Sequence, residues 1–247
     1  MIDFQGKVVL VTGAAGGIGR ATCRMFHGAG ARVVPADLDG EGAQRAAAAL
    51  DPSGETAWGI AHDTTSSVDT DRVVAQVAER HGRIDVLVTA AGLFPSRPIL
   101  EMDDASWRNV LAINLDGVLF ASRAAIPFME EGAAMVHIAS VAGHRGSPLH
   151  AHYATAKGAV LALSRSLASE LAPRGIRVNA VSPGVIATSM TDALMARKGD
   201  LILATTPMAR MGTPEEVAGV ICFLASPLAG FVTGETIHVN GGLYMAS

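Results

Sequence analysis

The chain predicts a doubly wound α/β fold built on one parallel sheet, and three observations carry that expectation. Short apolar runs alternate with stretches of helical periodicity from one end to the other. A glycine-rich loop joins the first apolar run to the first helix. No repeat, low-complexity tract or linker divides the 247 residues, so one domain over 1–247 is expected, and 49% hydrophobic residues are ample for its core.

The elements follow in order. Residues 7–12, Lys7-Val8-Val9-Leu10-Val11-Thr12, read as a buried strand, and a helical pattern runs over 20–27 with Gly28 and Gly30 as stop signals. A second strand over 31–36 ends at Asp37. Further strands are expected at 57–61, 86–89, 135–140, 177–182 and 236–239, and further helices at 41–50, 68–81, 105–128, 153–172 and 214–225. Seven strands with right-handed crossovers give a seven-stranded parallel sheet with helices on both faces, and a ligand site at the carboxyl ends of the strands.

Between the first strand and helix stands Gly13-Ala14-Ala15-Gly16-Gly17-Ile18-Gly19. A dinucleotide site needs a tight turn, a backbone that approaches a pyrophosphate closely and free N–H groups at a helix start. Gly13, Gly17 and Gly19 leave that approach open, although such a loop can also be a plain turn. Asp37, a little over twenty residues beyond Gly13, is placed to accept hydrogen bonds from an adenosine ribose, as in a Rossmann site; as a helix cap or turn residue it would do neither.

Tyr153 and Lys157 lie four residues apart in a chain with two tyrosines and three lysines, a chance spacing on the order of 0.02. A phenol with an ordinary pKa of about 10 transfers protons poorly near neutrality unless a nearby cation favours its ionised form. One helical turn separates the two, so Lys157 is expected to lower the Tyr153 pKa; the plain alternative is a surface Tyr beside a solvated Lys.

Together these segments resemble the short-chain dehydrogenase/reductases over essentially the whole chain. Thr12 to Gly19 resembles that family's TGxxxGIG and Tyr153 to Lys157 its YxxxK. Ser140, thirteen residues before Tyr153, is similar to the catalytic serine, Asn114 to the helix asparagine, and Pro183-Gly184 with Thr188 to the segment holding the nicotinamide carboxamide. The resemblance implies Ser140, Tyr153, Lys157 and Asn114 as catalytic, with Asn114 holding a water that connects Lys157 to solvent. It implies a dinucleotide site at Gly13, Ala15, Gly17, Ile18, Gly19, Asp37, Leu38, Asp63, Thr64, Ala91, Gly92, Tyr153, Lys157, Pro183, Gly184, Ile186 and Thr188. One departure stands out: the usual Asn-Asn-Ala-Gly after the fourth strand is here Thr89-Ala90-Ala91-Gly92, where Thr89 can replace one hydrogen bond and Ala90 none.

The implied activity is hydride transfer between a nicotinamide and a secondary alcohol or ketone. Asp37 repels a 2′-phosphate, and no Lys or Arg occupies 13–19 or 33–44, so NAD(H) is expected. A lid over 188–211, with Met190, Leu194, Met195, Ile202 and Leu203, suits an apolar substrate body, and Ser140, Tyr153, Phe94, His144 and Met190 are the substrate-binding candidates. His152 points elsewhere on its helix. Many close relatives are 3-oxoacyl-carrier-protein reductases. The acidic stretch Met129-Glu130-Glu131-Gly132-Ala133-Ala134, expected at the site's mouth, disfavours an acidic carrier, while Arg174 matches a basic position. A non-catalytic dinucleotide sensor or scaffold is the reading from another class.

A net charge of −4 with dispersed arginines argues against nucleic acid. Cys23 and Cys222 lack disulfide or metal spacing, so no metal is expected and the thiols fit a cytoplasmic protein. No signal segment opens the chain, and the apolar stretch 217–234 is broken by Pro227 and two glycines, which fits a core helix better than a membrane span. The resemblance implies a homotetramer. The small residues of helix 153–172 would let a partner helix approach, or would pack within the subunit.

Overall fold

The computed structural model describes residues 2–245. Its sheet has seven parallel strands: β1 (Val8–Thr12), β2 (Arg32–Asp37), β3 (Ile60–Ala61), β4 (Val86–Thr89), β5 (Ala134–Ile138), β6 (Arg177–Pro183) and β7 (Thr236–Val239). Their spatial order is β3-β2-β1-β4-β5-β6-β7. The order reverses between β1 and β4, which opens a crevice at the carboxyl ends of those strands.

Both faces are covered, and the strands show why. In β1, Val8 and Leu10 point into one core with Val73, Val74 and Val77 of α3 (Ser67–His81) and Leu167, Ala168 and Leu171 of α7 (Ala151–Leu171). Val9 and Val11 point into the other, with Cys23 and Phe26 of α1 (Gly17–Gly28) and Val217, Ile221 and Leu224 of α9 (Pro214–Ala225). A strand apolar at every position requires two covering layers. Local signals start and stop the helices: Thr213 and Glu216 form a capping box before Pro214, and Gly82 ends α3 in the left-handed conformation.

Two expected elements are broken. The strand at 57–61 shrinks to Ile60–Ala61 plus one bridge from Ala57 to Val33. The register is the same on both sides of the gap, and the residue of β2 that faces it is Pro35, which has no N–H to donate; Gly59 meanwhile has the Ala43 backbone of α2 (Gly40–Ala48) against it. The helix at 105–128 divides into α4 (Asp104–Leu111), a π turn at Ala112–Asp116 and α5 (Gly117–Ala125). Asn114 Nδ2 donates to the Val110 carbonyl at 3.0 Å, taking an acceptor that the helix backbone would use. The run Asp104–Phe128 has the length and mean hydropathy of a membrane span, 1.4, yet it packs on α3 and α7.

Candidate active site

The first wall of the site is backbone. Gly13 has φ +67°, and a Cβ there would collide with the backbone of Ala91; a Cβ on Gly19 would collide with the Gly13 carbonyl, and one on Gly17 would stand 2.5 Å from Thr188 Cγ2. α1 starts at Gly17 with no side chain capping it, so its first N–H groups face the loop unclaimed by a cap. Asp37, at the end of β2, accepts from Ala15 N at 2.9 Å and Asp39 N at 3.0 Å, tying the loop to the neighbouring strand. Leu38 beside it is 77% exposed. Asp63 accepts from Thr65 N and Oγ1, and Thr64 packs on Gly117 at the start of α5.

β5 and α7 supply the second wall. Ser140 sits just past β5, 8% exposed, and its Oγ accepts from Ala142 N at 3.2 Å. Lys157 is buried on α7, donates from Nζ to the Ile138 carbonyl at 2.7 Å, and lies 5.8 Å from the centre of the Tyr153 ring. The π turn aims Asn114 at the loop after β4: Nδ2 donates to Leu93 O at 3.0 Å as well as to Val110 O, and Oδ1 accepts from Leu93 N at 3.4 Å. Both amide hydrogens are thereby used, which leaves Oδ1 as the group open to a water. Gly92 lies within reach of Asn114 and Lys157, and a Cβ there would stand 2.9 Å from Asn114 Oδ1.

Burial governs the proton affinities. It pushes Lys157 down to about 8. It pushes the Tyr153 phenol up, with the Ser140 side chain opposing in part. The expected lowering of Tyr153 is therefore not found: desolvation of a buried phenolate raises its pKa, and the Ser140 side chain is what opposes it.

These two walls enclose a cavity of about 440 Å³ lined by Ile18, Gly92, Asn114, Ser140, Tyr153, Lys157, Pro183, Gly184, Ile186 and Thr188, together with Phe94 and Met190. Phe94 meets the Tyr153 ring edge-on at 4.7 Å. The segment expected as a lid begins with a capping box at Thr188 and Thr191 and forms α8 (Asp192–Thr205), kinked at Lys198, of which Leu194, Leu201 and Ile202 line the cavity. Met195 and Leu203 do not.

Other expectations are corrected. His144, taken as a substrate contact, lies outside the cavity lining and stacks on Tyr244 at 5.0 Å and against His238 at 4.6 Å, because its helical turn, α6 (Ala142–Arg145), rotates it away. Thr89 Oγ1 is buried without a partner among the described residues, so it replaces no hydrogen bond; the backbone holds instead, with Ala90 N donating to Thr12 O. The acidic stretch 129–134 leads into β5 and so stands at the amino end of that strand, opposite the carboxyl end that lines the cavity. Arg174 donates to the Ile126 and Met129 carbonyls. Gly158 of α7 packs against Gly143, so part of the small-residue face serves the subunit's own packing. Arginines just outside the charge windows of the sequence fold back: Arg20 donates to Ala15 O and Arg45 to Asp39. Sequence reasoning missed His150, which stacks on Phe94 at 3.9 Å, and the rim residues Arg145, Arg197 and Lys198; no motif marks them.

A family model described as enoyl-(acyl carrier protein) reductase matches residues 13–244. The 3-oxoacyl-[acyl-carrier-protein] reductase FabG of Vibrio cholerae is 37% identical, covering 99% of this chain and 100% of its own. The short-chain reductase protein NovJ of Streptomyces niveus is 39% identical over 96% of this chain and 94% of its own. A crystal structure titled short-chain dehydrogenase/reductase SDR:glucose/ribitol dehydrogenase, from Brucella melitensis, superposes with a TM-score of 0.96 at 46% identity over 99% of each chain.

Proposed function

The chain belongs to the short-chain dehydrogenase/reductase family of oxidoreductases, and we propose that it transfers a hydride between NAD(H) and a secondary alcohol or ketone with an apolar body. What supports this most is that Ile18 of the glycine loop, Thr188 packed against that loop, and the polar groups of Ser140, Tyr153 and Lys157 line the same apolar cavity.

A dinucleotide fits the residues present. Gly13, Gly17 and Gly19 keep its path free of side chains, the uncapped first turn of α1 offers N–H groups to the pyrophosphate, and Asp37 offers carboxylate oxygens to the ribose. When bound, the nicotinamide supplies or accepts the hydride. Tyr153 holds the proton at its hydroxyl, giving it to a carbonyl oxygen in reduction and taking it back in oxidation. Ser140 Oγ hydrogen-bonds the same substrate oxygen and stabilises the charge that develops there. Lys157, a cation near neutrality even at about 8, lowers the cost of a transient phenolate. Asn114 fixes the Leu93 backbone and offers Oδ1 to a water leading from Lys157.

Asp37 carries the cofactor choice: its carboxylate has no cation within ion-pair distance among the described residues, so a 2′-phosphate there meets uncompensated negative charge. Arg20 and Arg45 are held by Ala15, Asp39 and Glu41. The reading keeps a cytoplasmic homotetramer; association of copies is supported by the apolar run Asp104–Phe128, whose most apolar window is only 39% buried within the subunit. Reduction of 3-oxoacyl groups on an acyl carrier protein is the second reading, favoured by full-length likeness to FabG. Steady-state kinetics with a panel of ketones and a 3-oxoacyl thioester test both: kcat/KM with NADH is expected to exceed that with NADPH by about 100-fold, and Asp37→Asn to cut the ratio about tenfold. Equal or better turnover with NADPH overturns the NAD assignment, and turnover confined to the thioester selects the second reading.

A further inference from the structure

The charges at the cavity's mouth define the substrate more closely than its walls do. Among the described residues, the charged ones lining the cavity besides Lys157 are Arg145, Arg197 and Lys198, and no Asp or Glu lines it. That imbalance runs against a chain whose net charge is −4. Elsewhere among the described residues, Arg24, Arg45, Arg72, Arg83, Arg108 and Arg210 are each paired with a carboxylate, whereas Arg20, Arg32, Arg80, Arg97, Arg123, Arg165, Arg174 and Arg177 are not. What marks the rim is therefore cations gathered on one cavity with no acidic lining. The three rim cations have no such partner among the described residues, and their hydrogen bonds go to neutral groups. Arg145 Nη1 donates to Leu243 O at 3.3 Å, and Arg197 donates from Nε to Ala193 O and from Nη2 to Ser96 Oγ at 2.8 Å. Neutral acceptors orient a guanidinium without cancelling its charge.

Arg197 is also fixed relative to the reacting end of the cavity. Ser96 Oγ lies 2.9 Å from His150 Nε2, the His150 ring stacks on Phe94 at 3.9 Å, and Phe94 meets Tyr153 at 4.7 Å. The guanidinium on α8 is thus connected to the catalytic phenol through Ser96, His150 and Phe94. Its Nη1 makes no hydrogen bond among the described residues and remains open for an anion. Burial lowers the His150 pKa first; the hydrogen bond to the Pro148 carbonyl opposes, and the charges of Arg197 and Lys198 add smaller decreases.

We propose that the cavity takes a ketone whose apolar body ends in an anionic group, a carboxylate or a phosphate, and that Arg197 is the residue that reads this group. The ketone end of the proposal rests on the hydride-transfer reading above; the anionic end rests on the rim. Arg145 and Lys198 add attraction at longer range, which salt screens.

Calorimetric titration of the NAD⁺-loaded wild-type protein tests the proposal, because ketone and oxidised nucleotide cannot react. The probes are 5-oxohexanoate, 7-oxooctanoate, the methyl ester of each, and 5-oxohexyl phosphate. At least one anion is expected to bind about tenfold more tightly than its neutral counterpart at low salt, with the advantage shrinking at high salt. Arg197→Gln is expected to remove most of that advantage while leaving the ester's affinity unchanged. The ranking of carboxylate and phosphate identifies the terminal group. Esters that bind as well as acids, or an Arg197→Gln protein that keeps the preference, overturn the proposal, as does turnover of a carrier-bound thioester by a protein that binds neither small anion. Parallel turnover assays with NADH separate the two claims: anion preference in binding with no turnover of any ketone leaves this inference standing and removes hydride transfer, whereas equal turnover of acids and esters does the reverse.

Discussion

The dinucleotide cradle and the substrate cavity share Ile18, Gly92 and Thr188, yet they are built on different principles. The cradle is a backbone surface: Gly13, Gly17 and Gly19 act by what they lack, and Asp37 and the start of α1 complete it within about twenty-five residues of chain. The cavity is largely a side-chain surface assembled from distant stretches, among them Phe94 after β4, Ile138 to Ala142 after β5, Arg145 to Tyr153 around α6 and α7, and Met190 to Thr205 on the lid. A backbone surface tolerates no added atom, whereas a surface of Leu, Ile and Met accommodates changes of volume. The same scaffold can therefore keep one ligand constant and exchange the other.

The largest expected effect falls on the seam between the two regions. Tyr153→Phe should lower kcat on the order of 10³-fold while NADH affinity, read by fluorescence titration, stays within a few fold. Retained turnover would remove Tyr153 from its role and leave the cavity without a proton donor. Next is the cradle. Gly13→Ala puts an L side chain at φ +67° against the Ala91 backbone and should weaken NADH binding about 100-fold, whereas Met190→Ala on the cavity side should move the substrate KM only a few fold. Comparable losses from the two substitutions would break the contrast between the regions.

The smallest effect lies in β5, beneath both regions. His137, between Ser122 Oγ at 3.1 Å and Ser164 Oγ at 2.9 Å, is pushed down by burial to about 4. Above pH 6.5 this histidine is neutral both folded and unfolded and adds no pH dependence. As pH falls from there toward 4, the unfolded chain takes up the proton and the folded one does not, so stability is lost in that window, about 2 kcal/mol by pH 5. Urea unfolding at pH 7 and pH 5 measures the loss. His137→Gln should remove most of it, and an unchanged difference would assign it to the other buried histidines.

The seven-stranded parallel sheet, the covering of both its faces and the positions of Gly13, Asp37, Ser140, Tyr153 and Lys157 were legible in the chain, because each is written locally, in periodicity or in residue types that few other roles require. The break at 112–116 was not legible, since it depends on Asn114 finding the Val110 carbonyl and the Leu93 backbone, nor was the gap between Ala57 and Ile60, which falls where Pro35 of the neighbouring strand has no N–H to donate. His144 was misassigned to the substrate for a related reason: proximity to Ser140 in sequence says nothing about which way a short helical turn faces.

By itself, the sequence determined the architecture, the bare glycine turn after β1 and the placing of Tyr153 and Lys157 one turn apart on a helix, because strand and helix periods, glycine conformations and the i, i+4 spacing are properties of neighbouring residues. Only the tertiary structure decided that burial raises the free Tyr153 phenol instead of lowering it, that the acidic stretch 129–134 stands away from the cavity, and that Arg145, Arg197 and Lys198 gather at its mouth. Desolvation and summed charge depend on what the folded chain brings together across long separations, and no local pattern encodes them.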